Sequence, residues 1–243
     1  MYYTTAEVAF QILSSGEMWL RNAMLMNDFS EASHGFDCLY GALSSAPGAA
    51  LNSALAACFP DLPGRVEEMC KTVLPAIRED TYLTSFSEHH PTEDARGRLS
   101  MWRAYGGPSG VAVVFNGAVL HSTSNAVGAY ASPVLYADRK GFGDLLLEVA
   151  ALISKEVDFL RTIGENGVTN AVFHVLRSSA FCTKHPGFGE ELEWRIIASP
   201  MIYSTERLRR SLEVIRGVPQ KVLRISFASV PEEGRSMPCH GKR

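Results

Sequence analysis

A long helical segment set between strand-like segments is the feature that most constrains this fold. From Ala32 to Asp80, apolar residues recur at helical spacing, and the segment has no run of β-branched residues. Segments before and after it alternate in the two-residue period of strands. Such separation of helical and strand patterns is typical of α+β folds. We therefore expect one α+β domain over 1–229, with 31–81 as a helical insert and 230–243 as a loose tail.

The start of the chain predicts a short strand that leads directly into a helix. Thr4 and Glu7 have the spacing of a capping box, so Thr4 is expected to cap a helix that begins at Ala6. Gly16 then stands where a helix favours a left-handed residue at its end. Further strands are predicted at 17–22, 81–88, 110–115, 133–136, 192–199, 212–216 and 221–227, with 110–115 buried, and further helices at 143–163 and 169–184.

Composition and charge exclude several classes of protein. Hydrophobic residues make up 46% of the chain and charged residues 20%, which is an ordinary globular balance. The net charge of -3 is not suited to holding nucleic acid by bulk charge, although a local basic groove remains open. We find neither an apolar run of membrane-spanning length nor a secretory leader pattern, so we expect a cytoplasmic protein without a membrane partner.

The cysteines indicate reduced thiols and no metal site. Their number is 5, which is odd, and none forms a CxxC pair. Cys182 with His185, and Cys239 with His240, have ligand-like spacing, but neither has a second pair to complete a tetrahedral site. We therefore expect no metal.

Three polar segments lie within strand-like surroundings and are the candidates for chemistry. Because alternate residues of a strand face the same way, Ser85 and Ser87 are predicted to share one face of the sheet. The same argument places Glu191, Glu193 and Arg195 together. A structural interpretation remains open for each segment, because polar residues also cover exposed sheet faces. Aromatic residues such as Trp102 and Tyr105 are commonly core residues. The segments are Tyr2–Thr5, Ser85–Glu88 with Met101–Tyr105, and Glu190–Arg195.

Taken together, these motifs resemble a known family. The order YYTT, a helix, EMWLRNAMLMNDFSE, SFSE, SMWRAYGGPSGVAVVF and EELEWRI is similar to the bacterial family called domain of unknown function 2971. The resemblance extends from Tyr2 to about Ile197. That family pattern in turn resembles divergent ADP-ribosyltransferases, which implies a split antiparallel β-sheet core with helices packed around it.

The resemblance assigns positions to the motif residues. Tyr2 falls where such enzymes usually have His or Arg, and Thr4 falls at their Thr. Ser85-Phe86-Ser87 falls at the middle strand, and Glu191-Leu192-Glu193 supplies the late Glu-x-Glu motif.

The implied roles follow the chemistry of NAD cleavage, which passes through an oxocarbenium-like sugar. A carboxylate can stabilise that charge and deprotonate the incoming nucleophile, and we assign this role to Glu193. Glu191 would orient the acceptor, and Ser85 would brace Glu193 by a hydrogen bond. The remaining expected contacts with NAD are Tyr2 and Thr4 on nicotinamide and ribose, Ser87 beside Ser85, Trp102, Arg103 and Tyr105 in stacking, and Arg21 and Arg103 at the diphosphate.

The expected function is therefore transfer of ADP-ribose from NAD to a macromolecular acceptor, which is RNA, DNA or protein. The resemblance also implies a toxin or anti-phage effector with a neutralising antitoxin protein as partner. Two alternatives stay open: a non-catalytic module that binds a nucleotide or peptide, and a hydrolase of NAD. We also predict that Tyr2, Ser85 and Glu193, which are distant in the sequence, surround one cleft.

Overall fold

The computed structural model describes residues 1–26, 29–93, 95–117, 127–215 and 217–227. The predicted tail over 230–243 lies outside these residues. Within them, no helix is both long and apolar enough to cross a membrane. The strands are β1 Tyr2–Thr5, β2 Glu17–Asn22, β3 Tyr82–Ser87, β4 Gly110–Val113, β5 Ala129–Pro133, β6 Leu135–Tyr136, β7 Thr183–Lys184, β8 Glu193–Ala198, β9 Leu208–Ile215 and β10 Val218–Ser226.

The helices bear out the predicted helical segment. Residues 32–80 form four helices and no strand, and Pro47 and Pro63 stand in first turns, where proline is tolerated. The α-helices are α1 Ala6–Ser15, α2 Phe29–Leu43, α3 Ala46–Cys58, α4 Leu62–Thr72, α5 Leu74–Glu79, α6 Leu99–Met101, α7 Arg139–Lys155, α8 Val157–Ile163 and α9 Glu165–Phe181. A π-helical turn over Trp102–Gly106 continues α6. Packed helices together with an antiparallel sheet of six strands confirm the α+β prediction.

The chain divides into two compact units. The first contains Met1–Leu25, Asp80–Pro133 and Glu190–Arg243, and the second contains Met26–Glu79 and Val134–Gly189. The second unit joins α2–α5 to α7–α9 and the short parallel pair β6–β7. The predicted helical insert is thus one part of a larger helical unit. That 1–229 folds as one domain stays a prediction.

An antiparallel sheet of six strands is the framework of the first unit. Its order is β5-β8-β3-β2-β10-β9. One face carries the apolar side chains of Leu20, Tyr82 and Leu223, which are almost fully buried. Near the other end of the same face, Ile12 of α1 packs on the cluster that contains Phe86. The opposite face carries Ser85, Glu193 and Arg195 and is called the polar face below, although Leu83 and Ile197 are also buried on it.

The sheet divides beside β3. Strands β2 and β3 are paired only at Arg21 with Leu83 and at Asn22 with Tyr82. Farther along β3, Ser87 exchanges both backbone hydrogen bonds with Met1, at 2.6 and 2.7 Å. The chain then continues into β1, which pairs with β4 in a separate antiparallel sheet of two strands. The end of β3 therefore borders both sheets.

Two local predictions need correction. Helix α1 begins at Ala6, so its N-cap is the residue directly before it, Thr5, whose hydroxyl accepts from the Val8 amide; the Thr4 side chain is buried. The strand predicted as buried at 110–115 is β4, and its residues are exposed or half-buried because its one paired neighbour is the short strand β1. Gly16 ends α1 with φ 64°, as predicted.

A close approach of α2 to the end of α9 gives a test of the helical unit. A Cβ added at Gly35 would lie 2.0 Å from the Ala180 carbonyl oxygen, so the Gly35→Ala variant must move backbone. We expect its free energy of unfolding to fall by about 3 kcal/mol or more. Gly64 in α4 has open space around its Cβ position, so Gly64→Ala should raise stability by roughly 0.5–1 kcal/mol. Urea titration of both variants measures this, and equal effects would contradict the packing.

Candidate functional site

A hydrogen-bonded glutamate on the polar face of the sheet is the centre of the candidate site. Ser85 Oγ on β3 donates to Glu193 Oε1 on β8 over 2.5 Å. Arg195 Nε donates to the same oxygen over 2.7 Å, and its Nη2 lies 3.4 Å from Glu193 Oε2. The hydrogen bond that we expected between Ser85 and Glu193 is thus present.

The register of the strands explains why these three side chains meet. Ser85 is directly opposite Arg195, and Ser87 is directly opposite Glu193. Residues opposite each other on neighbouring strands point to the same face, and so do residues two apart. Ser132 of β5 is opposite Arg195 on its other side and shares this face.

The pair of Glu193 and Arg195 is buried. Their side chains are only 7% and 9% exposed. Placing two charges away from water is costly unless each compensates the other and hydrogen bonds satisfy the remaining atoms. The ion pair and the Ser85 hydroxyl supply that compensation. A surface charge pair, which was the structural alternative from the sequence, does not describe this site.

Glu191 does not share the strand face with Glu193, and the prediction that it does is wrong. It ends a 3-10 helix over Pro186–Glu191, and β8 begins only at Glu193. Between them Leu192 has φ 44°, a left-handed conformation that is uncommon for a residue with a side chain. The two-residue alternation of a strand therefore does not apply across Leu192.

A buried arginine holds the turn that precedes Glu193. Arg98 Nη1 lies 2.8 Å from Ser87 Oγ, 3.1 Å from the Glu190 carbonyl oxygen and 2.9 Å from that of Glu191. Its Nη2 donates to the Glu88 carbonyl oxygen over 2.6 Å. Because the Ser87 hydroxyl also donates to the Glu191 carbonyl oxygen, the end of β3 is tied to the start of β8.

Arg98 is balanced by one carboxylate. Its Nε and Nη2 lie 2.6 and 2.9 Å from the two oxygens of Glu93. The guanidinium hydrogen bonds lower the pKa of the Glu93 carboxyl, against a smaller opposing effect of burial. The Glu93 carboxyl is therefore ionised at neutral pH, and the two side chains form a two-pronged contact of the kind that arginine favours.

Tyr2 lies in a different environment from the one its motif position implied. Its ring centroid is 5.8 Å from that of Phe86, and it packs on the apolar cluster with Ile12 and Met18. Phe86 and Ser85 are successive strand residues, so they point to opposite faces. Burial raises the pKa of the Tyr2 hydroxyl, and the positive charge of Arg21 opposes this. Tyr2 therefore packs on the face opposite to Ser85 and Glu193, and the prediction that these three residues surround one cleft is wrong.

The aromatic residues of the middle segment pack on β1. Trp102 stacks edge-on against Tyr3, with centroids 4.8 Å apart, and donates from Nε1 to the Arg96 carbonyl oxygen over 2.7 Å. A Cβ at Gly97 would lie 2.7 Å from that Nε1 atom, and the φ of 62° there also favours glycine. Trp102 is therefore packed into the fold on this side.

The other predicted contacts of NAD are dispersed. Arg103 and Tyr105 are exposed on the π-helical turn. Arg21 Nη2 donates to the Leu25 carbonyl oxygen and to Gln220 Oε1, over 3.0 and 3.3 Å, so its guanidinium is engaged within the sheet. Thr4 and Ser87 are buried.

Sequence reasoning missed Arg98 and Tyr3. The Tyr3 hydroxyl accepts from the Arg98 amide over 3.0 Å, which links β1 to the same turn. Arg98 stands in the polar stretch HHPTEDARGR, which has the composition of a solvated loop. No spacing rule connects such an arginine to carbonyl oxygens that lie about ninety residues later, at Glu190 and Glu191.

The described residues offer no cluster of three His, Cys, Asp or Glu side chains that could hold a metal ion. A reaction without a metal stays a prediction.

The buried ion pair predicts strong energetic coupling. Removing either charge leaves the other buried without compensation, so Glu193→Gln and Arg195→Gln should each cost about 3–5 kcal/mol of stability. The double variant should cost clearly less than the sum, with a coupling of about 2 kcal/mol or more. Denaturant unfolding of the four proteins gives this value. Arg210→Gln, which breaks an exposed pair with Asp80, is the control and should cost about 1 kcal/mol or less. Additive single effects would show that the pair does not form in solution.

Leu192, the left-handed residue before Glu193, gives a second prediction. Its side chain is 45% exposed, so little packing is lost when it changes. Leu192→Gly removes the steric cost of the left-handed conformation and should leave the unfolding free energy within about 1 kcal/mol of wild type. Leu192→Val places a β-branched residue there and should cost about 1–3 kcal/mol. Thermal unfolding distinguishes the two, and a more stable Val variant would contradict the φ angle.

Comparison with known proteins agrees with part of the resemblance. Neither curated proteins nor solved structures gave a match. A family model did: residues 101–196 are similar to the family described as protein of unknown function, DUF2971. The matched segment includes Trp102 and Glu193, whereas Tyr2 and Ser85 lie before it.

Proposed function

We propose that this protein is an NAD-dependent ADP-ribosyltransferase-like enzyme in which Glu193 is the catalytic carboxylate. The observation that most supports this is the 2.5 Å hydrogen bond from Ser85 Oγ to Glu193 Oε1. It joins a middle-strand serine to a late-strand glutamate, which is the relation that the resemblance implied. Arg195, two residues after Glu193 on β8, donates to the same carboxylate oxygen and also holds it.

The proposed reaction breaks the bond between the nicotinamide nitrogen and C1′ of the ribose. Nicotinamide leaves with the bonding electron pair, and positive charge develops on the sugar. The Glu193 carboxylate stabilises that charge, binds a ribose hydroxyl and takes the proton of the attacking nucleophile as the new bond to C1′ forms.

Burial increases the effect of this carboxylate. Charge interactions are stronger away from water, and fixed groups need no reorganisation during the reaction. Ser85 and Arg195 hold the carboxylate in one orientation, so their role would be preorganisation. Because the Glu193 side chain is only 7% exposed, neighbouring residues must move before NAD can reach its carboxylate oxygens.

The acceptor class follows the same proposal. We propose a macromolecular acceptor, RNA, DNA or protein, in a cytoplasmic toxin or anti-phage effector that a partner protein neutralises. Transfer of the labelled adenosine part of NAD to one class of macromolecule in a cell extract would identify it.

A binding module without turnover is the second candidate. The burial of Glu193 in an ion pair favours it, because such a pair also serves a purely structural role. Calorimetric binding of NAD without release of nicotinamide would support the module over the enzyme.

The enzyme proposal predicts the behaviour of matched glutamate variants. Wild-type protein with NAD and a cell extract should release nicotinamide, and Glu193→Gln should lower that rate by about a hundredfold to ten-thousandfold. Ser85→Ala should lower it less, because the carboxylate remains. Glu213→Gln is the control: this glutamate of β9 is also hydrogen-bonded to an arginine, Arg224, but lies at the edge of the sheet. It should retain the wild-type rate.

Melting temperatures recorded beside the rates separate catalysis from folding. A folded Glu193→Gln variant with the full rate would contradict the assignment, as would a wild-type protein that releases no nicotinamide under any of these conditions.

A further inference from the structure

We infer that Arg98 is a positioning residue that fixes Glu193 against Ser85 by clamping the end of β3 to the turn before β8. The activity test of this inference rests on the proposed function, whereas the test of the geometry does not. The clamp consists of the Arg98 guanidinium, its carboxylate partner Glu93, and the acceptors at 87–88 and 190–191.

Three backbone carbonyl oxygens accept hydrogen bonds from this guanidinium. The oxygens of Glu88, Glu190 and Glu191 stand where β3 and the 3-10 helix have ended, so the regular hydrogen-bonding pattern no longer satisfies them. Arg98 is itself only 9% exposed and reaches all three from one rigid plane.

Only arginine has the donors for this task. A guanidinium presents five N–H groups in a fixed fork, whereas a lysine ammonium presents three on a flexible stem. Glu93 takes two of the five N–H groups. A third, on Nη2, donates to the Glu88 carbonyl oxygen, and the two on Nη1 are shared among Ser87 Oγ and the carbonyl oxygens of Glu190 and Glu191. The carboxylate of Glu93 therefore sets the plane in which the fork points.

The clamp acts on the register position of Glu193. Ser87 is directly opposite Glu193 in the sheet, and the Arg98 contacts reach Ser87 and Glu191. The Leu192 carbonyl oxygen between them accepts from the Glu88 amide over 2.7 Å. Leu192 is strained, and a strained conformation persists when its surroundings determine it from several sides. Loosening the clamp therefore frees the residue that directs Glu193 onto the face of Ser85.

Arg98→Lys, compared with Arg224→Lys, tests the inference. Arg224 is a matched control, because it also makes three kinds of side-chain hydrogen bond on this sheet, to Ser211, Glu17 and Glu213, but lies on β10 away from the turn. The first readout is geometric and needs no NAD: the NMR resonance of the Arg195 Nε–H group, which donates to Glu193. The second is hydrogen exchange of the Glu88 amide.

We expect Arg98→Lys to shift the Arg195 resonance and to accelerate exchange at Glu88 at least tenfold. Arg224→Lys should do neither. In the activity assay, Arg98→Lys should lower kcat for nicotinamide release about tenfold to a hundredfold with a smaller change in KM, whereas Arg224→Lys keeps the wild-type kcat at a comparable melting temperature.

Each failure has its own signature. If Arg98→Lys leaves the Arg195 resonance and the Glu88 exchange rate as in wild type, the positioning role is wrong, whatever the activity. If both readouts change but wild-type protein releases no nicotinamide, the proposed function fails and the clamp stands. Should Arg98→Lys not fold, Glu93→Gln removes the charge that orients the guanidinium and must produce the same two changes to a smaller degree; unchanged readouts there overturn the inference.

Discussion

The guanidinium of Arg98 is the contact on which the candidate site depends. Strands β3 and β8 end at Ser87 and Glu193, and beyond that point the Glu88 amide still donates to the Leu192 carbonyl oxygen, while the carbonyl oxygens of Glu88, Glu190 and Glu191 turn to a side chain. Arg98 supplies that side chain from inside the turn and is neutralised by Glu93. The left-handed Leu192, and hence the direction in which Glu193 enters the sheet, follows from this constraint.

Charge compensation on the polar face is the second constraint. On the polar face, Glu193 and Arg195 are buried as a direct ion pair, and the Ser85 hydroxyl donates to the same Glu193 oxygen as Arg195 does. The same arrangement that makes the ion pair structurally tolerable also holds a carboxylate in a fixed orientation at low dielectric. Structural and chemical roles for Glu193 therefore do not exclude each other.

The sequence predicted what depends on periodicity. The strand at 192–199, the helical segment at 32–80 and the shared face of Glu193 and Arg195 all follow from alternation or helical spacing. Ser85 beside Glu193 came from the motif order of a resemblance. Two predictions failed for local reasons. Leu192 breaks the alternation that placed Glu191 beside Glu193, and Thr5 caps α1 in place of Thr4. The contacts of Arg98 and the packing of Tyr2 on Phe86 join distant segments, and no pattern along the chain encodes such pairs.

The central claim is that Glu193, held by Ser85 and Arg195, meets the ribose of NAD. The most direct measurement is a crystal structure of the protein with an NAD analogue whose nicotinamide bond cannot be cleaved. The account predicts that a hydroxyl of the nicotinamide ribose lies within hydrogen-bond distance of a Glu193 carboxylate oxygen, with the Ser85 and Arg195 contacts retained. An analogue bound away from Glu193, or a protein that does not bind it at saturating concentration, would contradict the account.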